Sequence, residues 1–254
     1  MSTSYLAFEE MSINAWPALK TVVYDGWVIR FAEGYANRAN SISPLYPCRI
    51  KLEEKIEYCE KLFKSHNLKP GYKLTSLDEH KALEQKLVEL NYQKINETSM
   101  QVCEIKPDSL TANRSSSGSP GRIVIRDTFS SEWLESVIEF NRIEDRHVDT
   151  FKKIIGNIAV EKIVVHKELD GKIVGCGYGA MERSYAGIFD IVVKEEARRK
   201  GYGREIVEAI MAEAAKRGAK NSYLQVMISN SAALSLYKKI GYREIYRYWY
   251  RKKT

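Results

Sequence analysis

Apolar and polar residues follow two different periods along this chain, and together they predict a mixture of helices and strands. In residues 51–65 the apolar positions recur three or four residues apart among lysines and glutamates, which predicts an amphipathic helix that ends before Pro70. Similar spacing predicts further helices over Leu83–Leu90, Glu132–Asn141, Val148–Ile158, Arg204–Arg217 and Ser231–Ile240. Ser130 or Ser131 is expected to cap the helix that begins near Glu132.

Short runs rich in β-branched and aromatic residues predict the strands. They cover Tyr72–Ser76, Thr98–Ile105, Arg122–Arg126, Lys162–Lys167, Ile173–Glu182, Gly187–Val193, Ser222–Ile228 and Tyr242–Arg251. Two more short strands are expected within Gly26–Ile42, as a hairpin around Gly34. Asp170-Gly171 is a favoured tight-turn pair and should join two strands directly.

A change in composition divides the chain. Residues 107–121 read PDSLTANRSSSGSPG, a stretch of serine, glycine and proline that is typical of an interdomain linker. We therefore predict an α/β domain over residues 1–107, a linker over 108–121, and a second domain over 122–254. The alternation of strands and helices in the second domain predicts an α/β fold on a mixed sheet.

Length and composition narrow the class of protein. The 254 residues are 44% hydrophobic and 29% charged, which is enough to bury proper cores and excludes disorder and collagen. No apolar run approaches the ~18 residues of a membrane span, and Met1–Glu10 lacks the pattern of a secretory signal. We expect a soluble, cytoplasmic protein without membrane contacts. The cysteines and histidines lack metal-site spacing, so no metal is expected.

Charge is unevenly distributed. The net charge is +7, and residues 111–254 carry 26 lysines and arginines against 18 acidic residues. Such a surplus of positive charge favours binding of nucleic acid, acidic lipids or a phosphorylated cofactor. It does not by itself indicate which of these partners binds.

A glycine-containing basic loop is the most informative local feature. The apolar run Ile188–Val193 leads into Arg198-Arg199-Lys200-Gly201-Tyr202-Gly203, which opens an amphipathic helix. The first amides of a helix are unsatisfied and its dipole is positive there, so a strand, loop and helix in this order predict a phosphate cradle. Glycines let backbone approach an anion closely. The alternative is an ordinary strand-to-helix connection.

Two motifs together resemble one enzyme family. Arg198-x-x-Gly201-x-Gly203 after a strand resembles the acetyl-CoA pyrophosphate loop of the GNAT N-acetyltransferase superfamily. Downstream, the pattern N-x-x-A-x-x-L-Y-x-x-x-G-F/Y of that family is matched by Asn230, Ala233, Leu236, Tyr237, Gly241 and Tyr242. The resemblance covers residues 122–254 and implies the GNAT fold there, with acetyl-CoA as cosubstrate.

The resemblance also implies roles for individual residues. Backbone amides of Arg199–Arg204 would hold the pyrophosphate, and Ile191–Val193 and Asn230 would bind the pantetheine arm. An N–H near Val193 would stabilise an oxyanion. Tyr237 would lie near the thioester sulfur and hydrogen-bond or protonate the departing thiolate. The cofactor-binding residues implied are Ile191, Val192, Val193, Arg198, Arg199, Lys200, Gly201, Tyr202, Gly203, Arg204, Asn230 and Ala233.

An amine acceptor requires a base, because a lysine-like amine has a pKa of ~10.4. Asp190 and Glu182 are the candidates we retain, beside the group of Glu144, Asp145 and His147. Asp190 is an acid within an apolar run, so it should be paired, functional or turned to solvent. Strand alternation groups it with Ile188 and Val192, and Val193 on the other face, unless a bulge intervenes.

The first half echoes the end of the second half in its order of elements, without the basic loop. It is either a degenerate GNAT-like half that no longer binds cofactor or an unrelated α+β lid. In both cases the cleft between the halves is the expected acceptor site. Trp16, Trp27, Tyr35 and Arg38 would line it, or belong to a core.

We therefore expect an N-acetyltransferase that moves an acetyl group from acetyl-CoA to a primary amine by direct attack in a ternary complex. The acceptor is a small molecule or a peptide, nucleic acid is not an expected partner, and a homodimer is compatible with the sequence. The alternative is a non-catalytic module that senses acyl-CoA or binds nucleic acid.

Overall fold

Strands and helices follow each other throughout the computed structural model, which describes residues 5–106 and 120–253. The first part forms α1 (Tyr5–Ala15), β1 (Lys20–Tyr24), β2 (Trp27–Phe31), β3 (Ile42–Pro44), α2 (Leu52–Ser65), β4 (Gly71–Thr75), α3 (Lys81–Glu89) and β5 (Gln93–Glu104). The second part forms β6 (Arg122–Arg126), α4 (Ser131–Asn141), α5 (Asp145–Gly156), β7 (Glu161–Leu169), β8 (Lys172–Glu182), β9 (Tyr185–Val193), α6 (Tyr202–Lys216), β10 (Asn221–Met227), α7 (Ser231–Ile240) and β11 (Arg243–Lys252).

All of these strands belong to one mixed sheet, in the order β1-β2-β3-β4-β11-β5-β10-β9-β8-β7-β6. β5, from the first part of the chain, lies between β10 and β11 of the second. β11 in turn pairs with β4 of the first part. The predicted linker lies almost entirely outside the described residues, so the division into two domains stays a prediction, while the sheet runs across both parts.

The two parts repeat one topology. The series β1-β2-β3-α2-β4-α3-β5 matches β7-β8-β9-α6-β10-α7-β11 element for element. In each series an antiparallel meander ends in a strand that pairs in parallel with the next one, β3 with β4 and β9 with β10. The final strands β5 and β11 are exchanged between the series. The predicted α/β mixed sheet is confirmed, and the repeat favours a GNAT-like first half over an unrelated lid.

Helices cover both faces of the second part of the sheet. α6 packs Ile206, Val207 and Ile210 into one core with strand residues such as Ile188 and Leu224. On the opposite face, α4, α5 and α1 share a core with β8, β9 and β10. A third core lies between α2, α3 and the strands β2 and β4. Burial on both faces explains why these strands read as nearly continuous apolar runs.

Three features near the amino terminus differ from the sequence-based expectation. α1 and β1 were not predicted. The tight turn lies at Asp25-Gly26, where both residues have positive φ (40° and 80°), and not at Gly34. β2 and β3 do pair on either side of Gly34, but residues 32–41 between them form a long loop. Asn40 closes this loop by accepting hydrogen bonds from the N–H groups of Ala32 (2.8 Å) and Gly34 (3.0 Å).

A buried ion pair fastens α1 to the sheet. Lys73 Nζ on β4 donates to Glu9 Oε2 at 2.5 Å, and Tyr246 Oη on β11 donates to Glu9 Oε1 at 2.8 Å. Both partners are almost inaccessible, with side chains 6% and 2% exposed. Burial lowers the pKa of Lys73, and Glu9 opposes that shift. Both carboxylate oxygens are thus bonded, which is the condition for tolerating a buried charge.

Glu9→Gln should lower the free energy of unfolding by about 3–5 kcal/mol, because it leaves the Lys73 ammonium buried without a counter-charge. Urea denaturation monitored by circular dichroism measures the loss. The matched control is Glu57→Gln, whose carboxylate is 63% exposed and pairs with Lys61 on a helix surface; it should change stability by less than about 1 kcal/mol. Equal effects of the two substitutions would contradict the structural role of Glu9.

Candidate active site

The parallel strands β9 and β10 separate at their carboxyl ends. Their pairing runs from Tyr185 opposite Asn221 only as far as Ile188 opposite Leu224, although both strands continue. At Asp190 the backbone has a φ of 48°, and the register between β8 and β9 shifts at this point. A bulge of this kind bends a strand and increases its twist. Beyond Ile188 the β10-facing edge of β9 is therefore left without a strand partner.

The bulge also changes which residues share a face. Ile188 belongs to the core under α6, whereas Val192 belongs to the core on the opposite side of the sheet. The expectation that Ile188 and Val192 lie on one face with Asp190 is wrong, because the extra residue reverses the alternation. Val193 does lie on the face opposite to Val192, beside the first turn of α6.

A cavity of about 580 Å³ opens where β9 and β10 separate. Both repeats contribute to its walls. From the second repeat come Ile188, Phe189, Asp190, Ile191, Gln225, Val226, Met227, Asn230, Ala233, Tyr237, Tyr248 and Tyr250, together with Asn141 of α4. From the first come Ala36, Asn37, Arg38, Asn96 and Thr98.

The end of β9 presents backbone groups to this opening. Lys194 N–H donates to Val174 O of β8 at 2.9 Å. Because antiparallel residues alternate between facing their partner strand and facing away, the N–H and C=O of Val193 point away from β8, toward the gap. Arg198 Nε donates to Val193 O at 3.1 Å, and this bond ties the basic loop to the strand. Val193 N–H faces the same side, where no described strand pairs with β9 beyond Ile188.

The basic loop has the geometry of an anion cradle. Within the described residues, the N–H groups of residues 199–204 donate no hydrogen bond. Arg199 and Gly201 have positive φ (63° and 88°), so the chain turns sharply into α6. Arg199 and Lys200 are exposed beside these amides, while the Tyr202 side chain is buried. Tyr202 can therefore take part only through its backbone. Six amides without a partner among the described residues, at a helix N-terminus, are an arrangement suited to an anion.

Gly203 lies in the first turn of α6, between the end of β9 and α7. A Cβ added there would meet only Val193, Leu236 and Ile191, at ordinary distances of 3.7–4.0 Å. Its φ is not in the left-handed region. Nothing in the packing of the protein itself therefore requires glycine at this position.

One face of α7 borders the cavity. Asn230, Ala233 and Tyr237 are spaced three and four residues apart and so lie along one stripe of the helix. Asn230 also caps α7, because its Oδ1 accepts from Ala233 N at 3.1 Å. Tyr237 is 8% exposed, and its hydroxyl has no hydrogen-bond partner among the described residues. Burial raises the pKa of Tyr237 to about 12, so it remains a proton donor at neutral pH.

Asp190 is the only acid among the described residues that line the cavity. Its side chain is 12% exposed, and Oδ1 lies 3.9 Å from Arg38 Nη2. Oδ2 is enclosed and has no hydrogen-bond partner within the described chain. Burial raises the pKa of Asp190 to about 6, although Arg38 acts in the opposite direction. The carboxylate is therefore more basic than usual and still ionised at neutral pH.

The structure does not bring the other candidate bases to this cavity. Glu182 pairs with Tyr185 at the hairpin end of β9, far along the strand from the bulge. It accepts from Asn14 Nδ2 at 2.9 Å and lies 3.4 Å from Arg183 Nε. Glu144 pairs with Arg146 at 2.9 Å at the start of α5. None of these, nor Asp145 or His147, lines the opening.

The four predicted pocket residues of the first half divide into two groups. Trp16 stacks on Arg38, with 4.3 Å from the guanidinium carbon to the ring centroid. Tyr35 packs beside them, and burial together with Asp190 raises its pKa to about 12. Trp27 instead packs on Tyr72 in the separate core of α2 and α3. Trp27 is therefore a core residue, too far along the sheet to meet a substrate.

Tyr248 and Tyr250 line the cavity, although the sequence alone did not predict this position for them. Alternate positions of β11 are buried, among them Tyr246, Tyr248 and Tyr250, and this period of two is visible in the sequence YRYWYRKK. The pattern shows that these rings share a face. Which cavity they line follows from the pairing of β11 with β4 and β5.

Comparisons with known proteins agree with this geometry. A family model described as "Probable histone acetyltransferase Rv0428c C-terminal" matches residues 4–251. The chain is 25% identical over 246 residues to the uncharacterized N-acetyltransferase YobR of Bacillus subtilis, with 96% of each protein covered.

Two solved structures share the fold over most of the chain. A GCN5-related N-acetyltransferase from Kribbella flavida superposes with a TM-score of 0.69 at 15% identity, covering 98% of this chain and 95% of that one. A tandem GNAT protein from the clavulanic acid biosynthesis pathway has a TM-score of 0.65 at 11% identity, covering 84% and 74%. The tandem architecture agrees with the repeat seen in the sheet.

The described part of the chain contains neither a cluster of side chains for a metal ion nor a helix that could span a membrane. No group of three or more His, Cys, Asp or Glu side chains in residues 5–106 and 120–253 is arranged to hold a metal ion. The helices of those residues are too short or too polar to cross a bilayer.

Asp190→Asn should gain stability relative to the wild type as the pH rises. The folded pKa of Asp190 is about 6, above the ~3.9 of an unfolded chain, so the folded state favours the protonated acid. Its ionisation between pH 4 and pH 7 therefore costs the wild type up to about 3 kcal/mol, and asparagine avoids that cost. Urea unfolding of both proteins at pH 4, 5, 6 and 7 measures the difference.

The control for this pH series is Asp149→Asn, which removes an exposed acid from α5. Its difference from the wild type should stay flat with pH. A flat difference for Asp190→Asn as well would show that Asp190 titrates like a solvated carboxylate.

Proposed function

Because this chain belongs to the GNAT family of N-acetyltransferases, we propose that it moves the acetyl group of acetyl-CoA to a primary amine by direct attack in a ternary complex. The observation that carries the proposal is the single opening between β9 and β10. Tyr237 of α7 borders it from one side, and Asp190 and Arg38 border it from the other. β9 continues from this opening toward the anion cradle. Donor and acceptor can therefore meet without a carrier residue.

The free amides of residues 199–204 suit the diphosphate of acetyl-CoA, and the exposed Arg199 and Lys200 add positive charge. Gly203, at the start of α6, adjoins Val193 at the end of β9, where Val193 N–H faces the gap. An extended amide-containing arm can pair with such an edge as an added strand does. When bound, acetyl-CoA would supply an activated acetyl group.

Asp190 is the group that we assign as general base. With a pKa of about 6, it is ionised at neutral pH and lies closer to the operating pH than an ordinary carboxylate. It accepts a proton from the amine as the new C–N bond forms and the nitrogen becomes more acidic. Glu182 does not line the cavity, so we do not assign it this role.

Tyr237 is the group that we assign as general acid. Its unpartnered hydroxyl borders the cavity and carries a proton whose pKa is about 12. It donates a hydrogen bond to the sulfur as the C–S bond breaks, and transfer of that proton restores a neutral thiol of pKa ~8.5.

The cysteines support direct transfer over an acyl-cysteine route. None of the four lines the cavity. Cys176, the one nearest to Asp190 along the sheet, is fully buried, and burial raises the pKa of its thiol. A thiol that stays protonated and enclosed cannot act as a nucleophile.

Gly203→Ala should weaken acetyl-CoA binding by at least tenfold, measured by isothermal titration calorimetry, because its methyl group lies between Val193 and Leu236, where the arm of the cofactor would pass from the cradle to β9. Stability should not fall, since alanine is the better helix former at a position without strain. Gly156→Ala is the matched control: it also lies in a helix and its Cβ meets nothing within 4 Å. Unchanged affinity in Gly203→Ala would show that the cofactor does not pass beside Gly203.

Tyr237→Phe should lower kcat at least tenfold while the Kd for acetyl-CoA changes less than about threefold, because only the proton donor is lost. Release of CoA thiol, followed with a chromogenic disulfide across a panel of primary amines, measures turnover. Tyr242→Phe is the comparison variant, since Tyr242 packs on Tyr237 but bonds to Ser222 inside the core. Acetyl-CoA binding without thiol release from any amine would favour an acyl-CoA sensor.

A further inference from the structure

Arg38 is a positioned cation that the protein itself leaves largely unbonded. Its side chain lines the cavity and is 32% exposed. It makes no hydrogen bond with any described residue, and its contacts are the Trp16 ring at 4.3 Å and the Asp190 carboxylate at 3.9 Å. The second distance is too long for the short, charge-assisted hydrogen bond that ion pairs of this type form.

Other enclosed cations of the chain contrast with Arg38. Lys73 bonds to Glu9 at 2.5 Å, and Arg251 makes several bonds to Glu84. Arg30 donates to Trp16 O at 3.0 Å. In each of these cases the chain provides an acceptor for the cation. At Arg38 it provides a stacking surface and a distant counter-charge, and the five N–H donors remain available.

The loop that carries Arg38 is closely held. Asn40 accepts from Ala32 N and Gly34 N, and its Nδ2 donates to the carbonyls of Ala32, Tyr35 and Ala36 at 3.0–3.2 Å. These bonds satisfy the backbone of residues 32–36 without a strand partner. The position of Arg38 at the cavity is thus built into the fold, although the loop contains no catalytic motif.

Arg38 and Asp190 are the only charged side chains among the described residues that line the cavity. They lie side by side, one cationic and one anionic. A ligand that fits this pair carries an ammonium or amine next to an anion. The planar guanidinium fork matches a carboxylate, whereas a doubly charged phosphate would meet Asp190 at close range with only one cation to oppose it.

We propose that the acceptor is an amino acid in the general sense, a small molecule whose carboxylate lies a few bonds from its primary amine. Arg38 holds the carboxylate, and the amine is thereby placed beside Asp190 and in reach of the acetyl group. The inference rests on the proposed acetyl transfer and names the acceptor class of the same site. An internal lysine or a peptide amino terminus, which lacks a neighbouring carboxylate, would leave Arg38 unbonded.

The test compares each acid with its own carboxamide. Glycine, alanine, β-alanine and 4-aminobutyrate are assayed beside their amides by CoA release at saturating acetyl-CoA. The wild type should prefer the best acid over its amide by about 10- to 100-fold in kcat/KM, the range of a hydrogen-bonded charge. The amine of a carboxamide usually has a lower pKa than the amine of the corresponding acid, so more of it is unprotonated near neutral pH. This difference alone would favour the amides and therefore works against the expected preference.

Arg38→Gln should bring the ratio of acid to amide close to one, and Arg38→Lys should restore part of it, because the charge returns without the fork. The Kd for acetyl-CoA should change less than about twofold in both. Arg122→Gln, which removes an arginine on the edge strand β6 that is 76% exposed, is the matched control and should keep the wild-type ratio. Thermal unfolding checks that each variant is folded.

The outcomes separate this inference from the proposed function. Equal use of acids and amides by the wild type, a preference for peptides, or a ratio that survives Arg38→Gln would overturn the carboxylate site while acetyl transfer stands. If no amine releases CoA, acetyl transfer itself fails. Calorimetry of the same acids and amides on the CoA-saturated protein then decides the carboxylate site without turnover: selective binding of acids that Arg38→Gln abolishes supports it, and its absence refutes it.

Discussion

The bulge at Asp190 is the constraint on which the site depends. A parallel pair of strands that stayed in register would satisfy its own backbone and leave no opening. A residue with positive φ in the middle of β9 ends that pairing after Ile188. The same residue encloses a carboxylate oxygen without a partner. The opening, the free strand edge and the unusually basic acid therefore have one local cause, and removing the bulge would remove all three together.

The exchange of β5 and β11 decides which residues surround that opening. Because each final strand completes the sheet of the other repeat, β11 brings Tyr248 and Tyr250, and β5 brings Asn96 and Thr98, to the same cavity wall. The repeats have diverged in chemistry. The connection from β3 to α2, residues 45–51, has no glycine where the second repeat has its basic loop. The first repeat instead contributes Arg38, from the loop after β2.

Local features of this site were readable from the sequence, and features set by distant pairing were not. The amides before α6, the cap at Asn230 and the acid within an apolar run each depend on a few neighbouring residues. The sequence predicts Trp27 and Arg38 equally as residues of the pocket, yet Trp27 lies in a core and Arg38 lines the cavity. Glu182 and Asp190 share a hairpin, but Glu182 ends β8 at the turn, whereas Asp190 lies at the bulge in the middle of β9. The exchange of strands joins residues far apart in the chain, and periodicity carries no information about partners.

Two ion pairs in this chain show how stability and reactivity are divided between parts of one fold. Glu9 and Lys73 are nearly inaccessible, and every oxygen of the carboxylate is bonded. Asp190 and Arg38 line a cavity, and they stand 3.9 Å apart with bonding capacity left on both sides. Shortening that distance would lower the pKa of Asp190 and occupy the guanidinium, which would stabilise the protein and remove both the base and the anion site. The open geometry of Asp190 and Arg38 therefore lowers stability, and the bonded pair of Glu9 and Lys73 contributes stability elsewhere in the fold. The same open geometry marks the cavity as the place where a ligand completes the hydrogen bonds.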